Sequence, residues 1–97
     1  MCLQVIRHAL SVLMGQASLD KWDQLFDRAS QTRGPSEAKA ICHFVAGSNA
    51  RVELDPLPDG TWFVEVEYDH VVHEGQGADA LDAALNALDS IAAGLQR

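Results

Sequence analysis

Cysteine, proline and, in its second half, basic residues are scarce in this chain, and each scarcity excludes something. Two cysteines, Cys2 and Cys42, among 97 residues cannot build a disulfide framework. They read as reduced thiols of a cytoplasmic protein. No Cys-x-x-Cys or His-Glu-x-x-His spacing occurs, so the common zinc patterns are missing. With three prolines, no repeat and no low-complexity tract, nothing reads as an interdomain linker, and the length suits one domain over 1–97. Arg7 and His8 interrupt the apolar N-terminal stretch "MCLQVIRHALSVLMGQ". It is therefore shorter than the roughly 18 residues of a membrane span, and it lacks the basic flank of a signal peptide.

The shortage of basic residues is concentrated in the second half. Residues 1–50 hold Arg7, Lys21, Arg28, Arg33 and Lys39 against Asp20, Asp23, Asp27 and Glu37. Residues 51–97 hold only Arg51 and Arg97 against ten acids, so this half is at −8 and the first half at +1, within a chain of net charge −7. Such a field repels nucleic acid and anionic membranes and attracts basic partners. Direct nucleic-acid binding and membrane binding are therefore not expected.

Hydrophobic residues make up 47% of the chain, enough for a globular core. Helical spacing runs through Leu3, Ile6, Leu10 and Leu13, with Gly15 as a stop. It returns in Leu19, Trp22, Leu25, Phe26 and Ala29, with Ser18 as a cap, until "SQTRGP" breaks it. Residues 37–46 read as a third helix capped by Ser36 and closed by Gly47, with Ala38, Ile41, Cys42 and Val45 inward. A strand from Ile41 to Val45 is the alternative.

"ARVEL" and "TWFVEVEY" alternate in polarity on either side of the turn "PLPDG". Trp62, Val64, Val66 and Tyr68 form one face; Phe63, Glu65 and Glu67 form the other, with Asp69 if the strand runs on. A turn at Asp69–His70 would let Val71 to Glu74 form a third antiparallel strand. From Ala78 to Leu95, an apolar stripe of Leu81, Ala84, Leu85, Leu88, Ile91, Ala92 and Leu95 lies opposite Asp79, Asp82, Asn86 and Asp89. The expected fold is α+β: two or three N-terminal helices within 1–47, a three-stranded antiparallel meander over 50–75, and a C-terminal helix over 78–95 packed on the sheet.

Three motifs suggest chemistry. "GQGADA", residues 75–80, has the spacing of a dinucleotide fingerprint, but Glu74 and Asp79 would put negative charge where phosphates must sit. Its glycines read instead as a turn into the last helix. His70, His73 and Glu74 suggest a metal, yet strand residues three apart face opposite ways; Cys42 and His43, being adjacent, also splay apart. Glu65 and Glu67 share one open face and so lack the contrasting environments of an acid/base pair. No catalytic residues, metal site or cofactor are expected.

The acidic sheet face remains. Glu53, Asp55, Phe63, Glu65, Glu67 and Asp69 are the expected partner-binding residues, with Glu74 beside them. Like charges on neighbouring strands are destabilising, and Arg51 is the only basic residue near enough to relieve them. A phenylalanine among carboxylates suits an interface anchor inside an acidic field.

"DGTWFVEVEYDHVVHEGQGADALDAALNALDSI", residues 59–91, resembles the C-terminal half of HicB-like antitoxin domains and small phage or prophage accessory proteins. The shared pattern is an Asp-Gly turn, an alternating strand, a short strand, Gly-x-Gly and an Ala/Leu-rich helix. It covers about a third of the chain. The resemblance implies a strand–strand–strand–helix unit and a mobile-element context. The expected function is a non-catalytic acidic inhibitor or adaptor that binds a basic surface of a protein or nucleoprotein complex, such as a phage-encoded anti-defence protein of the anti-CRISPR kind. A toxin-neutralising antitoxin or immunity protein, and a structural or oligomerising accessory protein, are the alternatives. Homodimerisation is the other association considered.

Overall fold

The computed structural model describes residues 16–95. The apolar helix expected over 3–14, with its stop at Gly15, lies outside them. The elements are α1 (Gln16–Thr32), α2 (Pro35–Ala46), β1 (Val52–Pro56), β2 (Trp62–Tyr68), β3 (Val71–Gly77) and α3 (Ala80–Leu95). The strands form an antiparallel sheet in the order β1-β2-β3. α3 packs across β2 and β3, α2 packs on α3 and against β1, and α1 packs on α2. The fold is α+β, with its C-terminal helix on the sheet.

Helix boundaries differ from the sequence reading for local reasons. α1 already runs from Gln16, so Ser18 lies inside it rather than at its cap. It continues through Thr32 and stops where Arg33 turns to φ 51. Gly34 and Pro35 follow, and a residue before proline avoids helical geometry. The cap of α2 is Gly34, with Pro35 in its first turn where a missing N–H costs nothing; Ser36 is not the cap. Residues 41–45 are helical, which removes the strand alternative. Gly47, at φ 112, ends α2 and donates its N–H to the carbonyl of His43 at 2.8 Å.

The core lies between the inner sheet face and the helices. Val64 and Val66 supply it from the central strand. Leu81, Leu85, Leu88 and Ile91 supply it from α3, Ile41 and Cys42 from α2, and Leu19 and Trp22 from α1. Trp22 stacks on Phe26 and Phe44, ring centroids 6.0 and 6.4 Å apart, which ties α1 to α2. Burial pushes the Cys42 thiol up to about 12, so this cysteine behaves as a small core hydrophobe.

The glycines of "GQG" do not form a turn. β3 extends through Gly77, and a Cβ at Gly75 would stand 2.2 Å from the Ala83 carbonyl oxygen and 2.4 Å from the Ala87 nitrogen. At Gly77 it would stand 2.6 Å from the Ala83 nitrogen. These positions let the α3 backbone lie directly on the strand. The cap of α3 is Asp79, whose Oδ1 accepts the amide of Asp82 at 2.8 Å.

Candidate binding surface

Two turns set the register of the outer sheet face. In "LPDG", Pro58 precedes Asp59, whose Oδ1 accepts the Thr61 amide at 3.0 Å and its hydroxyl at 2.6 Å. Those bonds hold the Asp59 carboxyl below its ordinary range. Gly60 takes φ 90, and the Leu57 amide donates to Thr61 O at 2.7 Å. Between β2 and β3, Asp69 and His70 both adopt positive φ, 52 and 65, as a two-residue type I′ hairpin requires.

The resulting register aligns the carboxylates. Glu53 lies directly opposite Glu65, and Glu65 directly opposite Glu74. Three acids thus form one row across all three strands. Side chains directly opposite sit roughly 5 Å apart at Cβ, well inside the ~8–10 Å over which salt leaves charges unscreened. Beside this row, Phe63 stands between Asp55 and Gln76. On the other side, Glu67 faces Val72, and its N–H donates to Arg51 O at 2.9 Å. Arg51 reaches Glu53 at 3.2 Å in a solvent-exposed pair, of a kind that contributes little.

Most of the expected surface is therefore brought together: Glu53, Asp55, Phe63, Glu65 and Glu67 share the face. Asp69 does not join them. β2 ends at Tyr68, and Asp69 occupies the turn because a short polar side chain tolerates left-handed backbone. Glu74 belongs to the central row. Phe63 is half-buried, whereas its neighbour Trp62 packs against the core. The sequence reading missed Val71 and Val72, which are 54% and 48% exposed. Apolar alternation could not signal them, since "VV" is adjacent and each valine takes a different face.

The histidines diverge. His70 sits in the hairpin turn, and His73 lies on the inner side with Nδ1 2.9 Å from Ser90 Oγ. Glu74 faces outward, opposite Glu65. His43 Nδ1 lies 3.1 Å from the Gly47 carbonyl at the end of α2, beside the buried Cys42. Among the described residues no group of three His, Cys, Asp or Glu side chains could hold a metal ion. Away from the sheet, a groove of about 210 Å³ between α1 and α2 is lined by Leu25, Arg28, Ser36, Glu37 and Ala40.

No described helix is long and apolar enough to cross a membrane. Comparisons of the chain with protein-family models, curated proteins and solved structures found no match.

Proposed function

We propose that the outer sheet face binds a basic protein surface, and that the chain acts as a non-catalytic inhibitor or adaptor. The observation that carries this reading is the row Glu53–Glu65–Glu74, three carboxylates in direct register with a single arginine beside them. Like charges so aligned weaken a sheet. A basic partner offsets that cost and is drawn in by the field. The most specific form of the reading is a phage-encoded anti-defence protein of the anti-CRISPR kind, whose acidic face occupies the groove in which its target holds nucleic acid. The resemblance of residues 59–91 to HicB-like and phage accessory proteins supports a mobile-element setting.

Competition tests it. Binding of a labelled duplex to a basic effector complex of a defence system is measured with increasing wild-type chain and with the double variant Glu65→Lys/Glu67→Lys. Wild-type chain displaces the duplex. Charge reversal weakens displacement by about tenfold or more, and the effect fades as salt rises from about 0.05 to about 0.3 M. Equal displacement by both chains, or none by either, overturns the reading.

A further inference from the structure

We propose that the free edge of β3 accepts an added strand from a basic partner, with Lys or Arg on one side of that strand and apolar residues on the other. This rests on reading the outer face as a surface for basic proteins, and it describes how such a partner is held.

The two edges of the sheet are unequal. β1 is five residues long, carries charged Glu53 and Asp55, ends at Pro56 and is packed by α2. Short length, charge and proline are the usual protections of an edge. β3 is seven residues long, pairs in unbroken register and contains no proline, lysine or arginine. Glu74 is its one carboxylate, and α3 covers its inner face at Gly75 and Gly77 but leaves Val71 and Val72 exposed.

The direction of its backbone groups follows from one hydrogen bond. The Glu67 amide donates to Arg51 O, so Phe63, Glu65 and Glu67 turn their backbone groups toward β1. In an antiparallel ladder these directions alternate. Trp62, Val64, Val66 and Tyr68 therefore bond to Gly77, Gly75, His73 and Val71, while Val72, Glu74 and Gln76 present N–H and C=O outward. Asn86 Nδ2 donates to Gln76 O at 2.7 Å, which agrees with that direction and closes one end of the edge. The N–H and C=O of Val72 and Glu74 and the N–H of Gln76 remain open, with no partner among the described residues.

The side chains define the guest. Val71 and Val72 are the large exposed hydrophobics among the described residues, and both sit at the open end of this edge. On the outer side an added strand would lie beside Val72 and Glu74; on the inner side, beside Val71 and His73. Lys or Arg opposite Glu74 satisfies the outer side, and an apolar residue covers Val71. A second copy of this chain would bring its own net charge of −7 to the same edge, so charge favours a basic strand over self-pairing.

The test uses a synthetic peptide of about seven residues alternating Lys and Val, the minimal form of strand addition. Amide exchange is followed by NMR. The peptide slows exchange at Val72 and Glu74, and Val72→Pro lowers its affinity about tenfold; this proline removes an outward donor and no bond to β2. N-methylating the set of peptide amides that faces the edge abolishes binding without altering the protein, and methylating the other set does not. Protection at Val52 and Leu54 instead, no protection at all, or concentration-dependent dimerisation with β3 protected before peptide is added overturns the proposal. The two readings fail separately. Peptide binding unchanged in Val72→Pro and sensitive to Glu65→Lys/Glu67→Lys leaves the acidic face and removes the edge. The reverse pattern leaves the edge and removes the face.

Discussion

Gly75 shows what one missing atom contributes. Its backbone lies in ordinary strand geometry, so the glycine is needed for space and not for a turn. A methyl group would drive into the Ala83 carbonyl and the Ala87 amide of α3, both backbone atoms that cannot rotate away. Gly75→Ala should destabilise the protein by about 3 kcal/mol, at the upper end of overpacking costs, with the midpoint of urea unfolding as the measurement. Gly94, in α3 rather than in a strand, would place a Cβ in open space. Gly94→Ala should therefore be neutral or stabilise by up to about 1 kcal/mol. Equal effects at the two positions would show that the close approach of α3 does not control Gly75. The spacing of "GQG" is plain in the sequence, but whether it marks a turn or a contact is not, because the clashing atoms lie eight and twelve residues away.

Among the elements, the strands hold like charges in direct register. Glu65 is the centre of the row and opposes an acid on both sides. Glu65→Gln removes both repulsions while keeping the side-chain shape. It should raise stability by about 0.5 kcal/mol, or roughly 2–4 °C in melting temperature for a domain of this size. The gain should shrink with added salt. A loss of stability on this change, measured by thermal melts at low and high salt, would mean the row is not repulsive in the folded protein. The alternation of β2 was legible because side-chain direction has period two and needs no tertiary information. The α3 stripe was legible for the same reason at helical period, and Leu81, Leu85, Leu88 and Ile91 are all buried. Caps were harder to place. Ser18 and Ser36 are good capping residues, yet Gly34 and Pro35 set the start of α2, and α1 already runs past Ser18.

Across the whole molecule, one arginine links the two halves. Arg33, at the α1–α2 junction, bonds through Nε to Asp79 and through a terminal nitrogen to Asp82 at 2.8 Å. The contact joins residues 46 positions apart at the start of α3. The hydrogen bond from Arg33, with that from the Asp82 amide, holds the Asp79 carboxyl below its ordinary value. A depressed carboxylate stabilises the fold when ionised. Its contribution is complete above the unfolded Asp pKa of about 3.9 and is lost as pH falls through the lower folded value. Asp79→Ala should cost about 1 kcal/mol at neutral pH through the lost cap. Its deficit against the wild type should narrow below about pH 4, where the wild-type carboxyl also loses its charge. Asp79→Asn keeps an acceptor for the Asp82 amide and should lose less. Parallel urea titrations at pH 7 and in acid check the order, and a deficit that grows in acid would contradict it.

The sequence by itself determined the alternation of β2, the apolar stripe of α3, and where the negative charge accumulates. Each depends on periodicity or composition along the chain, so neighbours within a few residues suffice. Tertiary structure alone decided that Glu53, Glu65 and Glu74 form one row, that Asp69 leaves it, and that Gly75 and Gly77 lie beneath α3. It also decided that Val72, Glu74 and Gln76 turn their backbone groups away from β2. These features follow from strand register and from the approach of one backbone to another. Both arise between residues distant in sequence, where a shift of one position would bring a different set of side chains face to face.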